Sequence, residues 1–205
     1  MNKRKFLKQA GAASVAAGLV FASRSSQAQA PAGDVKVLIV YHSVTGNTEK
    51  MAQGVAEGAN GVSGASVVLK KVGEVIGDDL LACDALIVGS PVYFANMAGE
   101  IKAFFDNWAL KFHFPFNDLK MRNKVGGAFV TGGAISNGKK TTMQSIHGAM
   151  LINQMSVVSG GGAFGASATT GPDSPGVDEK ELEGARALGK RVAEFAAITK
   201  RGSKS

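Results

Sequence analysis

Short apolar runs rich in β-branched residues alternate along this chain with stretches whose apolar residues recur every three or four positions. The first run is "KVLIVY" at 36–41, too short for a helix and apolar throughout, which predicts a buried strand. "NTEKMAQGVAEGA" follows, with Met51, Val55 and Ala59 at helical spacing. "ASVVLKKV" at 65–72 alternates and predicts a second strand; "DALIVGS" at 84–90 predicts a third. Ile101, Phe104, Phe105 and Trp108 then mark one face of a helix. "KVGGAFVTGG" at 124–133 predicts the fourth strand, "KKTTMQSIHGAMLINQ" a helix and "MSVVSGG" the fifth strand. The last helix has the clearest start: Asp178 and Glu181 form a capping box after Pro175, and Leu182, Ala185, Leu188, Val192 and Phe195 form an apolar stripe. Apolar strands alternating with amphipathic helices predict an α/β protein, with a parallel sheet covered on both faces. In such folds ligands sit beyond the carboxyl ends of the strands. The informative loops are then "SVTGNT", "GSPVYFANMAG" and "TGGAISNGKK", after the first, third and fourth strands. "GPDSPG" at 171–176 reads as a loop, and "KFHFPFNDLKMRNK" at 111–124 as an irregular aromatic segment suited to a subunit contact, a lid or a plain surface loop.

The first 30 residues break this pattern. They have a basic start, a mildly apolar Ala- and Gly-rich middle and small residues before Pro31, the layout of a bacterial export signal. Lys3-Arg4-Lys5-Phe6-Leu7-Lys8 resembles the twin-arginine signature R-R-x-F-L-K, with Lys3 in place of the first Arg. The apolar run is too short to span a bilayer as a stable helix. Two cleavage points fit, after Ala30 and after Ala28. The expected organisation is thus a signal peptide at 1–30 and a single domain at 31–205, exported to the periplasm, with membrane contact only through the signal. Five of the 23 basic residues and none of the 16 acidic ones fall within residues 1–30, so the remaining chain carries 18 basic against 16 acidic residues, a net charge of +2. That balance gives no footprint for nucleic acid. The single cysteine, Cys83, cannot form an intramolecular disulfide and reads as a small buried residue at a strand entrance. His42, His113 and His147 are not at metal-ligand spacing, and no G-x-S-x-G is present, so neither a metal nor a side-chain nucleophile is expected.

"SVTGNT" offers the hydroxyls of Ser43, Thr45 and Thr48 and a tight turn at Gly46, directly before a helix start at Asn47. Hydroxyls, amides and the positive end of a helix dipole can hold a phosphate dianion without a formal cation. The loop lacks the G-K-[ST] of a nucleoside-triphosphate site and the G-x-G-x-x-G of a dinucleotide site. A terminal phosphate monoester fits best.

S/T-x-T-G-x-T after a first strand resembles the phosphate loop of flavodoxin-like proteins, which binds the phosphate of FMN. "GSPVYFANMAGEIKAFFDNW" resembles the flavodoxin-like NAD(P)H:quinone oxidoreductases of the WrbA type, which carry G-[ST]-P-x-x-[FY]-x-N-M-x-G-x-x-[KR]-x-F-x-D at this place. Every fixed position is met, by Gly89, Ser90, Pro91, Phe94, Asn96, Met97, Gly99, Lys102, Phe104 and Asp106. The resemblance covers nearly all of 35–199 and implies a flavodoxin-like, doubly wound five-stranded parallel sheet of order 2-1-3-4-5. It implies FMN as cofactor, held at the phosphate by Ser43, Thr45, Gly46, Asn47 and Thr48. Along the ring it implies Pro91, Val92, Tyr93, Phe94, Asn96 and Met97, with Thr131, Gly132 and Gly133 as a third contact. The implied activity is two-electron transfer from NAD(P)H to a quinone or similar acceptor, in a homo-oligomer; a flavodoxin-like electron carrier without NAD(P)H activity is the alternative. No catalytic side chain is expected, since the chemistry belongs to the flavin. Tyr93 is the candidate for shaping the substrate face by stacking. The chain departs from the pattern at 151–155, where "LINQM" stands in place of a His pair, and at the second loop, where Tyr93 replaces a common basic residue.

Overall fold

The computed structural model describes residues 35–172 and 175–202. The leader read from residues 1–30 lies outside them. Four long strands carry the fold: β1 (Val35–Tyr41), β2 (Ala65–Lys71), β3 (Ala85–Tyr93) and, after a two-residue β4 (Asn96–Met97), β5 (Val125–Gly132). β6 (Ser156–Val157) and β7 (Ala166–Thr169) follow. The helices are α1 (Asn47–Asn60), α2 (Gly77–Ala82), α3 (Gly99–Leu110), α4 (Lys139–Ile152) and α5 (Glu179–Gly202). The sheet runs β2-β1-β3-β5-β6, and every pairing in it is parallel except the β3–β4 hairpin. This is the flavodoxin-like order expected from the sequence.

Alternate residues of a strand point to opposite faces. Val37 and Ile39 of β1 enter a core with Met51, Val55, Leu188 and Val192, from α1 and α5. Leu38 and Val40 enter the opposite core with Leu80, Ile101, Trp108 and Ile146, from α2, α3 and α4. Both faces are covered, which is why β1, β3 and β5 are apolar without alternation. β2 forms one edge and alternates between half-buried and exposed over Ala65–Leu69. On the first face α1 and α5 meet backbone to backbone: a Cβ on Gly189 would lie 1.9 Å from the Val55 carbonyl oxygen.

The fifth strand departs from expectation. "MSVVSGG" holds only the short β6, which pairs with the start of β5. The chain then leaves the sheet over 158–165 and returns as β7, paired with the end of β5. The Gly160–Gly162 run cannot pack as a strand and supplies the freedom to leave. Ala166 and Ala168 point inward and Ser167 and Thr169 outward, the alternation of a half-buried strand. The segment at 111–124 is fastened to α3 by Phe112 N–H to Asn107 O (2.8 Å) and Phe114 N–H to Trp108 O (2.7 Å). Phe112 and Phe114 pack on the second core, while Phe116 is exposed. At α5 the capping box forms as read: Glu181 N–H donates to Asp178 Oδ1 (2.8 Å) and Asp178 N–H to Glu181 Oε2 (3.1 Å). The other Glu181 oxygen accepts the Thr169 N–H (2.6 Å), tying the end of β7 to the helix start.

Candidate functional site

The three loops singled out from the sequence converge at the carboxyl end of the sheet. In the first, the His42 N–H donates to Gly89 O (3.2 Å), continuing the β1–β3 ladder one step into the loop. Gly46 then turns in the left-handed region (φ 85°), where a side chain is disfavoured, and as the N-cap of α1 it offers the helix start no side-chain cap. The Ser43 hydroxyl is buried with no partner among the described residues. A phosphate monoester would give the Ser43 hydroxyl a partner, since a buried unpaired hydroxyl is costly until a ligand arrives, and its charge suits the positive end of the α1 dipole. The residues present therefore fit the phosphate end of a mononucleotide.

Hydrogen bonds fix this loop from three sides. The Thr48 and Thr131 hydroxyls lie 2.8 Å apart, joining the first loop to the third in a buried contact. Asn47 donates through Nδ2 to Thr45 Oγ1 (3.0 Å) and accepts the Gly176 N–H at Oδ1 (2.7 Å). Lys50 Nζ donates to Val177 O (2.8 Å). Segment 176–177 thus closes over the start of α1, a contact the sequence reading did not foresee. His42 Nε2 lies 3.5 Å from Glu100 Oε2 in the first turn of α3, without a hydrogen bond among the described residues. The Tyr41 hydroxyl donates to Glu49 Oε1 (2.7 Å), and burial together with that carboxylate drives its pKa well above the usual phenol range.

The second loop is a hairpin. β3 turns back on β4 with Val92 opposite Met97 and Tyr93 opposite Asn96. Its tip residues, Phe94 (φ 49°) and Ala95 (φ 62°), both have positive φ, although neither is glycine. Strain of this kind costs of order 1 kcal/mol per residue and clusters at functional sites. The Phe94 ring is fully solvent-exposed, at 106% of its reference area, and Tyr93 is exposed at 42%. The hairpin base is held by Ser90, whose buried hydroxyl accepts the Ala98 N–H (2.9 Å) and donates to Pro91 O (2.8 Å). Pro91, Val92 and Met97 are half-buried beside it, and Asn96 Oδ1 accepts the Met97 N–H (2.8 Å).

In the third loop Thr131 and Gly132 are buried and Gly133 is exposed. Asn137, absent from the sequence reading, organises the turn: with its amide oriented to match its neighbours, it accepts the Gly133 N–H (3.2 Å) and donates to Ala134 O (3.1 Å). The second and third loops touch where Gly138 meets Ala95, so closely that a Cβ there would sit 2.6 Å from the Ala95 Cα. Val44, Tyr93, Phe94 and Ile135 give each loop an exposed apolar side chain. His147, by contrast, lies inside α4, where burial lowers its pKa. The Cys83 thiol is buried, donates to Leu80 O (3.3 Å) and is pushed up to about 11 by burial, the environment of an inert structural cysteine. Among the described residues, no three His, Cys, Asp or Glu side chains gather as a metal site would require.

Fold and loops together define a mononucleotide-binding protein of the flavodoxin-like class. Residues 69–170 match the NADPH-dependent FMN reductase family. The chain is 34% identical to an NAD(P)H dehydrogenase (quinone) of Chromohalobacter salexigens, over 79% of this chain and 97% of that one. It is 33% identical to an NAD(P)H dehydrogenase (quinone) of Paracoccus denitrificans, over 82% and 97%. Among solved structures it superposes on the flavodoxin, WrbA-like protein from Agrobacterium tumefaciens with a TM-score of 0.67 and 28% identity, covering 80% of this chain and 99% of that one. The chain belongs to the family of NAD(P)H dehydrogenases (quinone) with the flavodoxin-like fold.

Proposed function

We propose that this protein is an exported FMN-dependent oxidoreductase that passes two electrons from NAD(P)H to a quinone. The observation that carries the reading is the pairing of a hydroxyl-lined phosphate loop, with Ser43 unpartnered among the described residues, and a strained, solvent-facing aromatic hairpin beside it. Family membership makes FMN the cofactor. Ser43, Thr45, Gly46, Asn47 and the first N–H groups of α1 would hold its phosphate, with Thr48 and Thr131 bracing the loop. Pro91, Val92, Tyr93, Phe94, Asn96 and Met97 would lie along the ring, and Thr131, Gly132 and Gly133 would close its other edge. Bound FMN supplies a two-electron relay between donor and acceptor. The net reaction is NAD(P)H, a proton and a quinone to NAD(P)+ and the hydroquinone. The exposed Tyr93 shapes the face on which either substrate stacks. No side chain of the three loops is assigned as an acid or base, so the second proton of the hydroquinone comes from solvent.

Export is supported by the Lys3–Lys8 signature and the apolar run behind it, with residues 31–205 as the domain delivered to the periplasm. The near-neutral charge of that domain sides with a reductase over an electron carrier, for which docking through a strongly charged surface is expected.

The test is to load the purified full chain with FMN, add NADH or NADPH without oxygen, and follow the yellow flavin absorbance. Bleaching by a nicotinamide and recovery on addition of benzoquinone is expected. A yellow protein that neither nicotinamide bleaches would move the assignment to an electron carrier. Tyr93→Ala should weaken flavin binding or turnover; if both stay unchanged, its assigned role is wrong.

A further inference from the structure

A second cavity opens beside the hairpin. It has a volume of about 690 Å³ and lies between α3 and α4, under the aromatic segment that follows α3. Met97, Phe105, Trp108, Leu110, Phe116 and Ile152 form its apolar wall. Apart from the buried Trp108 indole N–H, which has no partner among the described residues, its polar groups are held from within. Ser145 donates to Thr141 O (3.0 Å), Asn153 donates to Ala149 O (2.9 Å), and Asn96 Oδ1 takes the Met97 N–H (2.8 Å). Its charges come in neutral pairs, Lys102 with Asp106 (2.6 Å) and Lys120 with Asp118. A groove with no unpaired charge suits a neutral apolar ligand, because a charged one would be desolvated without compensation.

The groove is also long. It touches Met97, just before α3, and Leu110, the last residue of that helix. The 12 residues of α3 span about 18 Å. One end therefore lies at the hairpin assigned to the flavin ring, and the other at the exposed Phe116 and Ile152. We infer that the groove receives the hydrocarbon tail of a lipophilic quinone, whose ring lies at the hairpin. The substrate class is then a tailed membrane-type quinone rather than a small soluble one. This inference rests on the quinone-reductase reading for its head group, and on the groove alone for its tail.

Trp108 is the only tryptophan of the chain and lines the groove, so its fluorescence reports occupancy without turnover. The FMN-loaded full chain is titrated with a dimethoxy-methyl-benzoquinone bearing no tail and with the same ring bearing a decyl tail. Burying even two methylenes is worth about tenfold in affinity. Half-quenching is therefore expected at a concentration at least about tenfold lower for the tailed quinone, with a matching drop in KM in the NAD(P)H-driven reaction. Phe116→Glu and Ile152→Lys, both at exposed positions, are each expected to erase the tail advantage while the tailless quinone turns over as before. Equal half-quenching by the two quinones overturns the inference. So does a wild-type dimer that these variants dissolve while the quenching stays tail-independent, which would give the groove to a second copy of the chain. Tail-dependent quenching without reduction of either quinone would support the groove and sink the reductase reading, so the two failures are distinguishable.

Discussion

The phosphate loop and the aromatic hairpin are assigned to one cofactor, yet they are built on opposite plans. The phosphate loop is anchored and cross-linked at its helix end: Asn47 and Thr48 are buried, and bonds run from them to Thr45, Thr131 and Gly176. The hairpin is exposed and strained, with two non-glycine residues at positive φ and a ring standing wholly in solvent. A phosphate is recognised by fixed donors, so its site gains from rigidity. A redox ring must meet two substrates in turn, so its site needs an open face. The difference teaches that affinity and reactivity are supplied by separate segments, which substitutions should separate.

The largest effect is expected at Thr48. Thr48→Val removes one half of the buried hydroxyl pair and leaves Thr131 unpartnered, a cost of about 1–3 kcal/mol. FMN affinity should fall by roughly tenfold to a hundredfold, measured by titrating flavin fluorescence, and the FMN-free protein should also lose stability. Ser43→Ala sharpens the contrast. Its hydroxyl has no partner among the described residues, so the thermal midpoint of the FMN-free form should not drop, while FMN affinity falls by about tenfold. A drop in midpoint of several degrees would mean that Ser43 is structural. On the hairpin the expectation reverses. Ala95→Gly relieves a left-handed residue and should stabilise the fold by about 0.5–1 kcal/mol in urea unfolding, with the affinity for FMN within about twofold of wild type.

The smallest effect is expected from pH, through a residue outside both loops. Burial lowers the pKa of His147 below its ordinary 6.5, so the folded protein holds it neutral while the unfolded chain binds a proton. Its contribution is complete above pH 6.5 and is lost as pH falls from there through the folded-state pKa. Unfolding free energy should decline over that window, and His147→Gln should flatten the decline without altering FMN binding at pH 8.

Much of this was legible beforehand because it rests on local rules. The apolar strands announced a sheet covered on both faces, and Asp178 with Glu181 announced the start of α5 to the residue. What escaped depends on contacts between distant segments. The turn at Phe94 and Ala95 carries no Asn-Gly or Asp-Gly signal, because its conformation is imposed by the paired β3 and β4 and by Gly138 packed on Ala95. The break in the fifth strand was half-visible in the Gly160–Gly162 run, but the return at Ala166 is set by pairing with β5. Asn137 looked like any polar loop residue until its amide was seen to span Gly133 and Ala134. The closing segment at 176–177 is 129 residues from Asn47 and 127 from Lys50, beyond the reach of any local pattern.

That closing segment also sets an order of events. During synthesis the first loop leaves the ribosome early, but the partners of Asn47 and Lys50 follow 129 and 127 residues later, at 176 and 177. A nascent chain therefore presents an unfinished cradle. Capture of the cofactor becomes an act of a chain already made as far as Val177, not of the loop that first emerges.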